Sequence, residues 1–316
     1  MPPFITIFTP TYNRAHTLPE LYRSLLEQTD KDFEWLIIDD GSSDETQKLV
    51  EGWKREDKIS IRYIYQENGG KHIAYNHALE VADSELFWPL DSDDLAVPIS
   101  VERIKFHWSK MVLEKSSAKA ISFLVNNTDG KKWNDDFKVP DFEEHFPELI
   151  YNKTIRDDIW FVFLLSYIKP FRYPEKWRSI YVPDSLIPYA VSANHPVRFI
   201  NERLGIYRWN PADADRLSNF SRPEKLKSGG AASLFLQNWI KLNYGRRYMF
   251  RYVVTHLKIV SQYHRFGDLA DLTIRERLAW LPSFPVKAFS ILGILPGWVM
   301  ARLTELKHKN LAHRVR

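Results

Sequence analysis

Three aspartates within four residues, Asp91, Asp93 and Asp94, follow the apolar run Leu86–Leu90. Like charges this close repel one another unless a cation or hydrogen-bond donors neutralise them. Hard cations such as Mg²⁺ and Mn²⁺ prefer oxygen ligands and commonly share them with substrate phosphates. The spacing therefore favours a divalent metal site, and a solvated acidic turn is the alternative. An EF-hand is a poor fit, because the glycine and the distal glutamate of that loop are absent.

Two further polar clusters also follow apolar, β-rich runs. Pro10-Thr11-Tyr12-Asn13 ends the run at 4–9, and Asp39-Asp40-Gly41-Ser42 ends the run at 33–38. A carboxylate at such a strand end can accept a hydrogen bond from a ribose hydroxyl or a base N–H, and an Asx-type turn is the alternative. Because ligands bind outside the carboxyl ends of parallel strands, we expect all three clusters to line one site.

The segment Asn68-Gly69-Gly70-Lys71-His72 precedes a helical pattern. Backbone N–H groups and the helix dipole at such a position suit phosphate, and a tight turn with an exposed lysine is the alternative. No G-x-G-x-x-G follows the first strand, which counts against a nicotinamide or flavin Rossmann domain. The lack of G-x-x-x-x-G-K-[ST] counts against a P-loop NTPase.

The elements that must position these clusters alternate between strands and helices through the first 130 residues. Period-3.6 patterns follow the first four apolar runs, which indicates helices between strands. Strands are predicted over 4–9, 33–38, 61–65, 86–90 and 120–125, and the last helix of this series over 99–112. This order predicts an α/β fold with a mostly parallel sheet flanked by helices. Further along, 184–193 favours a helix, and 197–200 and 205–207 favour two short strands.

Composition and charge narrow the class of protein. The 316 residues are 44% hydrophobic and 27% charged, which is typical of a globular protein. The absence of cysteine excludes a disulfide scaffold, a thiolate zinc site and a cysteine nucleophile. Residues 225–316 hold 16 basic and 4 acidic side chains, whereas 1–224 hold 28 and 36. The basic region predicts an anionic partner, and because it lacks a nucleic-acid-binding motif we expect no nucleic acid.

A membrane surface is the anionic partner that the C-terminal region favours. The apolar stretch 284–300 is interrupted by proline and glycine, and no run of about 18 apolar residues could form a spanning helix. Two short interfacial segments, with Trp280 and Trp298 at headgroup depth, would fit. Packing in a helical subdomain or a homo-oligomer contact is the alternative. Since residues 1–13 show no signal peptide, we expect a cytoplasmic protein, peripheral on the inner face of the cell membrane.

The ordered set of motifs strongly resembles the family-2 glycosyltransferases. The matching segments are 7–14, 28–29, 36–44, 68–71, 74–76 and 90–94. The resemblance covers roughly 4–125, more weakly to about 220, and implies the GT-A nucleotide-sugar fold. It divides the chain into a catalytic domain at 1–224, with a donor half about 1–125 and an acceptor half about 126–224. The remainder, 225–316, would be a basic helical C-terminal extension.

The resemblance also implies roles for individual residues. Tyr12 would stack on the nucleobase, Asp40 would accept from the base N–H with Asp39 in support, and Asp93 would contact the ribose or the metal. The metal, Mn²⁺ or Mg²⁺, would be held from among Asp91, Asp93 and Asp94. The full implied nucleotide-sugar-binding set is Pro10, Thr11, Tyr12, Asn13, Asp39, Asp40, Lys71, Asn76, Asp91, Ser92 and Asp93.

The implied activity is inverting transfer of a sugar from a nucleoside diphosphate sugar, with UDP favoured. The acceptor would be a glycan or a lipid-linked glycan of surface polysaccharide biosynthesis. An inverting enzyme needs a carboxylate base, and Asp184 is the candidate because it starts a predicted helix after Pro183. Asp157 and Asp158 are rival candidates. A non-catalytic nucleotide-sugar or glycan-binding module on the same fold is the alternative function.

Overall fold

A computed structural model describes residues 2–151, 159–173, 175, 184–208, 238, 259–266, 274–279, 293 and 296. The chain separates into two compact units. One comprises Met1–Ser179 and Asn194–Pro211, and the other comprises Ile180–Ala193 and Ala212–Arg316. The expected division between 224 and 225 stays a prediction.

The first unit is built around one sheet of nine described strands. The strands are β1 (Ile5–Thr11), β2 (Phe33–Asp39), β3 (Ser60–Tyr65), β4 (Leu86–Pro89), β5 (Leu95–Ala96), β6 (Ala120–Asn127), β7 (Asp141–Glu144), β8 (Trp160–Leu164) and β9 (Val197–Tyr207). The helices of this unit are α1 (Leu18–Leu26), α2 (Thr46–Glu56), α3 (Lys71–Val81), α4 (Ser100–Leu113), α5 (Phe146–Tyr151) and α6 (Leu165–Ile168). The described part of the second unit contains α7 (Leu186–Ser192), helical residues at 259–266, and α8 (Ile274–Ala279).

The sheet has the order β3-β2-β1-β4-β8-β6-β9-β5, with β7 paired to β9. Its first four strands are parallel, as the repeating strand–helix pattern predicted. The second half is mixed, because β8 runs antiparallel to both β4 and β6, while β6 and β9 are parallel. The predicted α/β class is confirmed, and every antiparallel pair among the described strands includes β8 or β9, which follow the region of regular strand–helix alternation.

Burial explains why the first strands form a rigid platform. Every residue of β1 is buried, as expected for a central strand covered on both faces. On α1, the fully buried Leu18, Leu21 and Leu25 recur at helical spacing. Burying each such leucine contributes about 1.5–3 kcal/mol. The indole of Trp35 on β2 donates to Thr9 Oγ1 at 2.9 Å, which ties two strands together inside the core.

The sequence predicted two short strands at 197–200 and 205–207, but the structure has a single strand, β9, in their place. It is continuous over Val197–Tyr207, with register shifts against β6. Its polar middle is held by tertiary contacts, since the carboxylate of Glu202 accepts from the Arg103 guanidinium at 2.6 and 2.7 Å. Gly205 lies so close to Trp160 that a Cβ there would fall 2.0 Å from the ring. The local hydrophobicity pattern does not reveal these contacts, and for this reason it predicted a break between two strands.

Within the described ranges, no helix is long and apolar enough to cross a bilayer. The predicted interfacial segments at 284–300 lie almost entirely outside the described residues. The membrane prediction for this region therefore stays a prediction.

Candidate functional site

The three polar clusters meet at one edge of the sheet. β1 pairs in parallel with β2 on one side and β4 on the other, so their carboxyl ends point the same way. Just beyond the strands, Asp40 N donates to Thr11 O at 2.8 Å, and Leu90 N donates to Phe8 O at 2.8 Å. These bonds extend the pairing into the loops and bring the predicted clusters together.

Asp91, Asp93 and Asp94 form a compact group of carboxylates. One oxygen from each lies within 4.8 Å of the others, and the side chain of Asp94 is buried. A turn with Asp94 N donating to Asp91 O at 3.1 Å sets this geometry. Burial raises the pKa of Asp94 well above its usual value, and the charges of Asp93 and Asp91 raise it further. Burial, followed by the charge of Asp91, likewise raises the pKa of Asp93.

Two cationic side chains oppose this concentration of negative charge. Lys71 Nζ lies 2.8 Å from Asp91 Oδ2, and the charges of Arg14 and Lys71 act to lower the pKa of Asp93. The carboxylates nevertheless remain crowded, with Asp94 deepest. Three converging oxygen ligands of this kind fit a hard divalent cation, and Asp91, Asp93 and Asp94 would hold it.

Asp39 is fully buried at the end of β2. Its carboxylate accepts from Ser42 N at 2.8 Å and from the Tyr63 hydroxyl at 2.6 Å. Burial, and then the hydrogen bond to Asp39, raise the pKa of Tyr63 above its usual value. Asp39 thus supports the loop that follows β2.

The neighbouring Asp40 binds the segment that leads into helix α3. Its carboxylate accepts from Gly69 N at 2.9 Å, Gly70 N at 2.7 Å and Gln66 Nε2 at 2.7 Å. Gly70 adopts a φ of 97°, a backbone conformation that side chains with a Cβ rarely adopt. The two glycine N–H groups, which the sequence suggested for a phosphate, are therefore engaged by Asp40. The sequence analysis did not predict a role for Gln66. The one feature that could have indicated it is the position of Gln66 between β3 and the Asn-Gly-Gly segment.

The loop after β1 combines an accessible ring with a structural amide. Tyr12 is 50% exposed at the edge of the site, so its ring is available for stacking. Asn13 has a φ of 53°, and its Oδ1 accepts from Ser43 N at 2.8 Å and from Asp44 N at 3.3 Å. Asn13 therefore fixes the β1 loop against the β2 loop.

Asn76 has a different set of partners from those implied for it. It is buried on α3, where its Nδ2 donates to Tyr173 O at 2.9 Å and its Oδ1 accepts from Tyr173 N at 2.8 Å. Both ends of the amide thus hold the 171–173 segment. A donor-binding role for Asn76 stays a prediction.

The base candidates lie apart from the described site residues in the chain. Asp184 was expected to start a helix but lies in a turn two residues before α7, which begins at Leu186, and it belongs to the second unit. The rivals Asp157 and Asp158 fall outside the described residues. Arg208, the residue after β9, donates its backbone N–H to Asp94 Oδ1 at 3.2 Å. The end of β9 therefore contacts the carboxylate group.

Solved structures share this architecture. S. aureus TarS 1–349 in complex with UDP-GlcNAc superposes with a TM-score of 0.59 at 18% identity, covering 97% of this chain and 92% of that one. The mannosyltransferase PcManGT from Pyrobaculum calidifontis, in complex with GDP-Man and Mn²⁺, gives a TM-score of 0.53 at 15% identity, covering 96% and 85%. Likeness at these identities shows the fold, which is the GT-A type.

Sequence comparison supports the resemblance. Residues 6–144 match the model of Glycosyl transferase family 2. A glycosyltransferase of Nostoc sp. is 25% identical over 263 residues, covering 77% of this chain and 78% of the relative. The putative teichuronic acid biosynthesis glycosyltransferase TuaG of Bacillus subtilis is 32% identical, covering 36% and 40%. The chain covers 14% to 30% of the length of Rickettsia glycosyltransferases that it matches at 32% to 37% identity.

Proposed function

We propose that this protein is an inverting, divalent-metal-dependent glycosyltransferase that uses a nucleoside diphosphate sugar. The observation that carries the proposal is the group Asp91, Asp93 and Asp94, converging within 4.8 Å at the edge of the sheet where Asp40 and Tyr12 also lie. UDP is favoured because TarS binds UDP-GlcNAc, and Mn²⁺ because it accompanies GDP-Man in PcManGT. TuaG supports a glycan acceptor of surface polysaccharide biosynthesis, free or linked to lipid.

Residues at this edge of the sheet would bind different parts of the nucleotide-sugar donor. The exposed ring of Tyr12 would stack on the nucleobase, and Asp40, already fixed by three donors, would accept from the base N–H. Asp91, Asp93 and Asp94 would hold Mn²⁺ or Mg²⁺. When bound, the cation would neutralise the negative charge that grows on the departing nucleoside diphosphate. The ammonium of Lys71 would add a second positive charge beside it.

Inversion requires the acceptor hydroxyl to attack from the face of the sugar opposite the leaving group. A carboxylate must take the hydroxyl proton as the new glycosidic bond forms and the bond to the phosphate oxygen breaks. We assign this role to Asp184.

Turnover with purified protein tests the proposal. UDP-sugars should be consumed with Mn²⁺ and acceptor, and activity should disappear with EDTA. Asp93→Asn should lower the rate at least about 10²-fold, because it weakens the hold on the cation, and loss of one group that stabilises transition-state charge costs about that much. Asp83→Asn makes the same change at an exposed site before the amino end of β4 and should retain activity. Undiminished turnover in EDTA would contradict metal dependence, and donor binding without turnover would favour a binding module.

The donor can be identified by ligand-induced stabilisation. A panel of nucleotide sugars with Mn²⁺ would be screened by thermal shift. A donor at about 100 times its dissociation constant should add about 2.7 kcal/mol to the free energy of unfolding.

A further inference from the structure

Helix α4 has two apolar faces, and only one of them packs against the core. Val101, Ile104, Trp108 and Met111 are buried and recur at spacings of three and four, which defines the inner face. A second series of apolar residues is exposed to solvent. Ile99, just before the helix, is 45% exposed, Phe106 is 51% exposed and Leu113 is 83% exposed.

The exposed series has the spacing of a helix–helix contact. Its members are seven residues apart, close to two helical turns, so they lie along one side of the helix. Together with Glu102, Arg103, Ser109 and Lys110, the residues Phe106 and Leu113 line a shallow surface groove. The Arg103 guanidinium stacks 4.4 Å from the centroid of the Phe106 ring and still leaves half of that side chain exposed. Single exposed apolar residues are ordinary on a protein surface, but a stripe at heptad spacing is not.

We propose that this face of α4 binds α4 of a second copy of the chain, antiparallel, about a twofold axis at Phe106. In this arrangement, a residue that follows position 106 in one copy faces the residue that precedes position 106 by the same number of positions in the other copy. Leu113 then faces Ile99, Lys110 faces Glu102, and Phe106 faces its own copy. The same register therefore pairs apolar with apolar and basic with acidic side chains, as an isologous interface requires.

The charges set the register, and the apolar stripe supplies the attraction. Lys110 Nζ already lies 2.8 Å from Asp141, and the Lys110 side chain remains 41% exposed. Glu102 accepts from the Thr29 hydroxyl at 2.8 Å on an exposed surface. Exposed ion pairs contribute about 0.2–1 kcal/mol, enough to disfavour a parallel arrangement that brings like charges together. A pair of helices of this length buries less than the ~1,200 Å² typical of stable complexes, so the dimer should be concentration-dependent.

The lack of native cysteine allows the register to be tested directly. Under mild oxidation, Phe106→Cys should give a disulfide-linked dimer, because its two copies meet on the axis. Positions 99 and 113 lie about 21 Å apart along one helix, and in the proposed dimer position 99 of one copy faces position 113 of the other. Ile99→Cys alone and Leu113→Cys alone should each give no disulfide-linked dimer, whereas their mixture should cross-link. Val139→Cys, at a position 54% exposed outside α4, serves as the control for random collision.

Sedimentation of the wild-type full chain provides an independent test. Its mean mass should rise with concentration, and Phe106→Glu should abolish the rise by placing two like charges on the axis. Cross-linking of Ile99→Cys alone to the same extent as the mixture would overturn the antiparallel register. A wild-type protein that stays monomeric at high concentration, or a dimer that persists in Phe106→Glu, would overturn the interface.

Discussion

Lys71 is a cation at a position where a helix disfavours one. It opens α3, where the helix dipole favours negative charge, yet its ammonium lies 2.8 Å from Asp91 with only 19% of the side chain exposed. A divalent ion that takes Asp91 as a ligand has to compete with this ammonium for the negative charge of the carboxylate. We expect Lys71→Met to bind Mn²⁺ more tightly than wild type in the absence of nucleotide, by about fivefold, since such a pair contributes about 1 kcal/mol.

Calorimetric titration of Mn²⁺ without nucleotide would measure this difference. Lys48→Met is the matched control, because Lys48 forms an ion pair with Glu45 on an exposed surface. Equal or weaker Mn²⁺ binding by Lys71→Met would show that Lys71 does not compete with the metal.

The assignment of the base makes a separate prediction. Asp184→Asn keeps the size of the side chain but removes its ability to take a proton. We expect transfer to slow by roughly 10²–10⁴-fold while donor affinity changes little, which steady-state kinetics and donor titration would measure. If Asp184→Asn stays active and Asp158→Asn does not, the base is Asp158.

Some residues of the candidate site can be predicted from the sequence alone, and others cannot. The group at 91–94 is evident because carboxylates crowded after a strand need an explanation. The pairing of Asp40 with the Gly69 and Gly70 N–H groups is not evident, since the partners are about 30 residues apart and either could have bound a ligand instead. Gln66 and Tyr63 are inconspicuous for the same reason: only the fold reveals their contacts with aspartates on β2 and its loop.

At the scale of elements, ion pairs reinforce the pairing of β7 with β9. Asp141, at the start of β7, accepts from Arg198 Nη2 at 2.7 Å and from Lys110 Nζ at 2.8 Å. The hydrogen bond from Arg198 holds the pKa of Asp141 at about 2. A lowered pKa stabilises the fold above the unfolded-state value of about 4, and the contribution is lost as the pH falls toward 2.

We therefore expect Asp141→Asn to lower the free energy of unfolding at pH 7 by about 2 kcal/mol. The difference from wild type should shrink below about pH 4. Urea unfolding at pH values from 7 to 3 measures it, with the exposed Asp83→Asn as the control. A difference that is constant over this range would show that the loss comes from packing rather than charge.

The same charge network explains which elements the sequence could predict. The strands and helices from β1 to β6 carry apolar periodicity, and each was expected close to its observed position, apart from the two-residue β5. The segment that forms β7 reads Asp-Phe-Glu-Glu, and its three acidic residues have low strand propensity. Arg198 on β9 pairs with two of these carboxylates, those of Asp141 and Glu143. Ion pairs between residues far apart in the chain produce no periodic sequence pattern, so they could not be predicted.

At the scale of the whole molecule, we propose that the basic residues of 225–316 bring the protein to an anionic membrane surface. Full-length protein should float with anionic vesicles at low salt, because each basic residue near the surface contributes about 1 kcal/mol. Neutral vesicles and high salt should reduce flotation. Replacing Trp280 and Trp298 by alanine should weaken it further. Protein that stays at the bottom with anionic vesicles in low salt would favour packing of the apolar stretch within the protein.

The short segment from Asn68 to Lys71 has a consequence for attempts to redesign the proposed donor site. Asn68 Nδ2 donates to Asp40 O at 2.9 Å, Gly69 and Gly70 bind the Asp40 carboxylate, and Lys71 binds Asp91. One tetrapeptide thus joins the proposed base-recognition and cation-binding ends of the site. A variant selected for a different nucleotide through Asp40 would release this segment and shift Lys71 relative to Asp91. Donor preference and metal preference should therefore prove difficult to engineer one at a time.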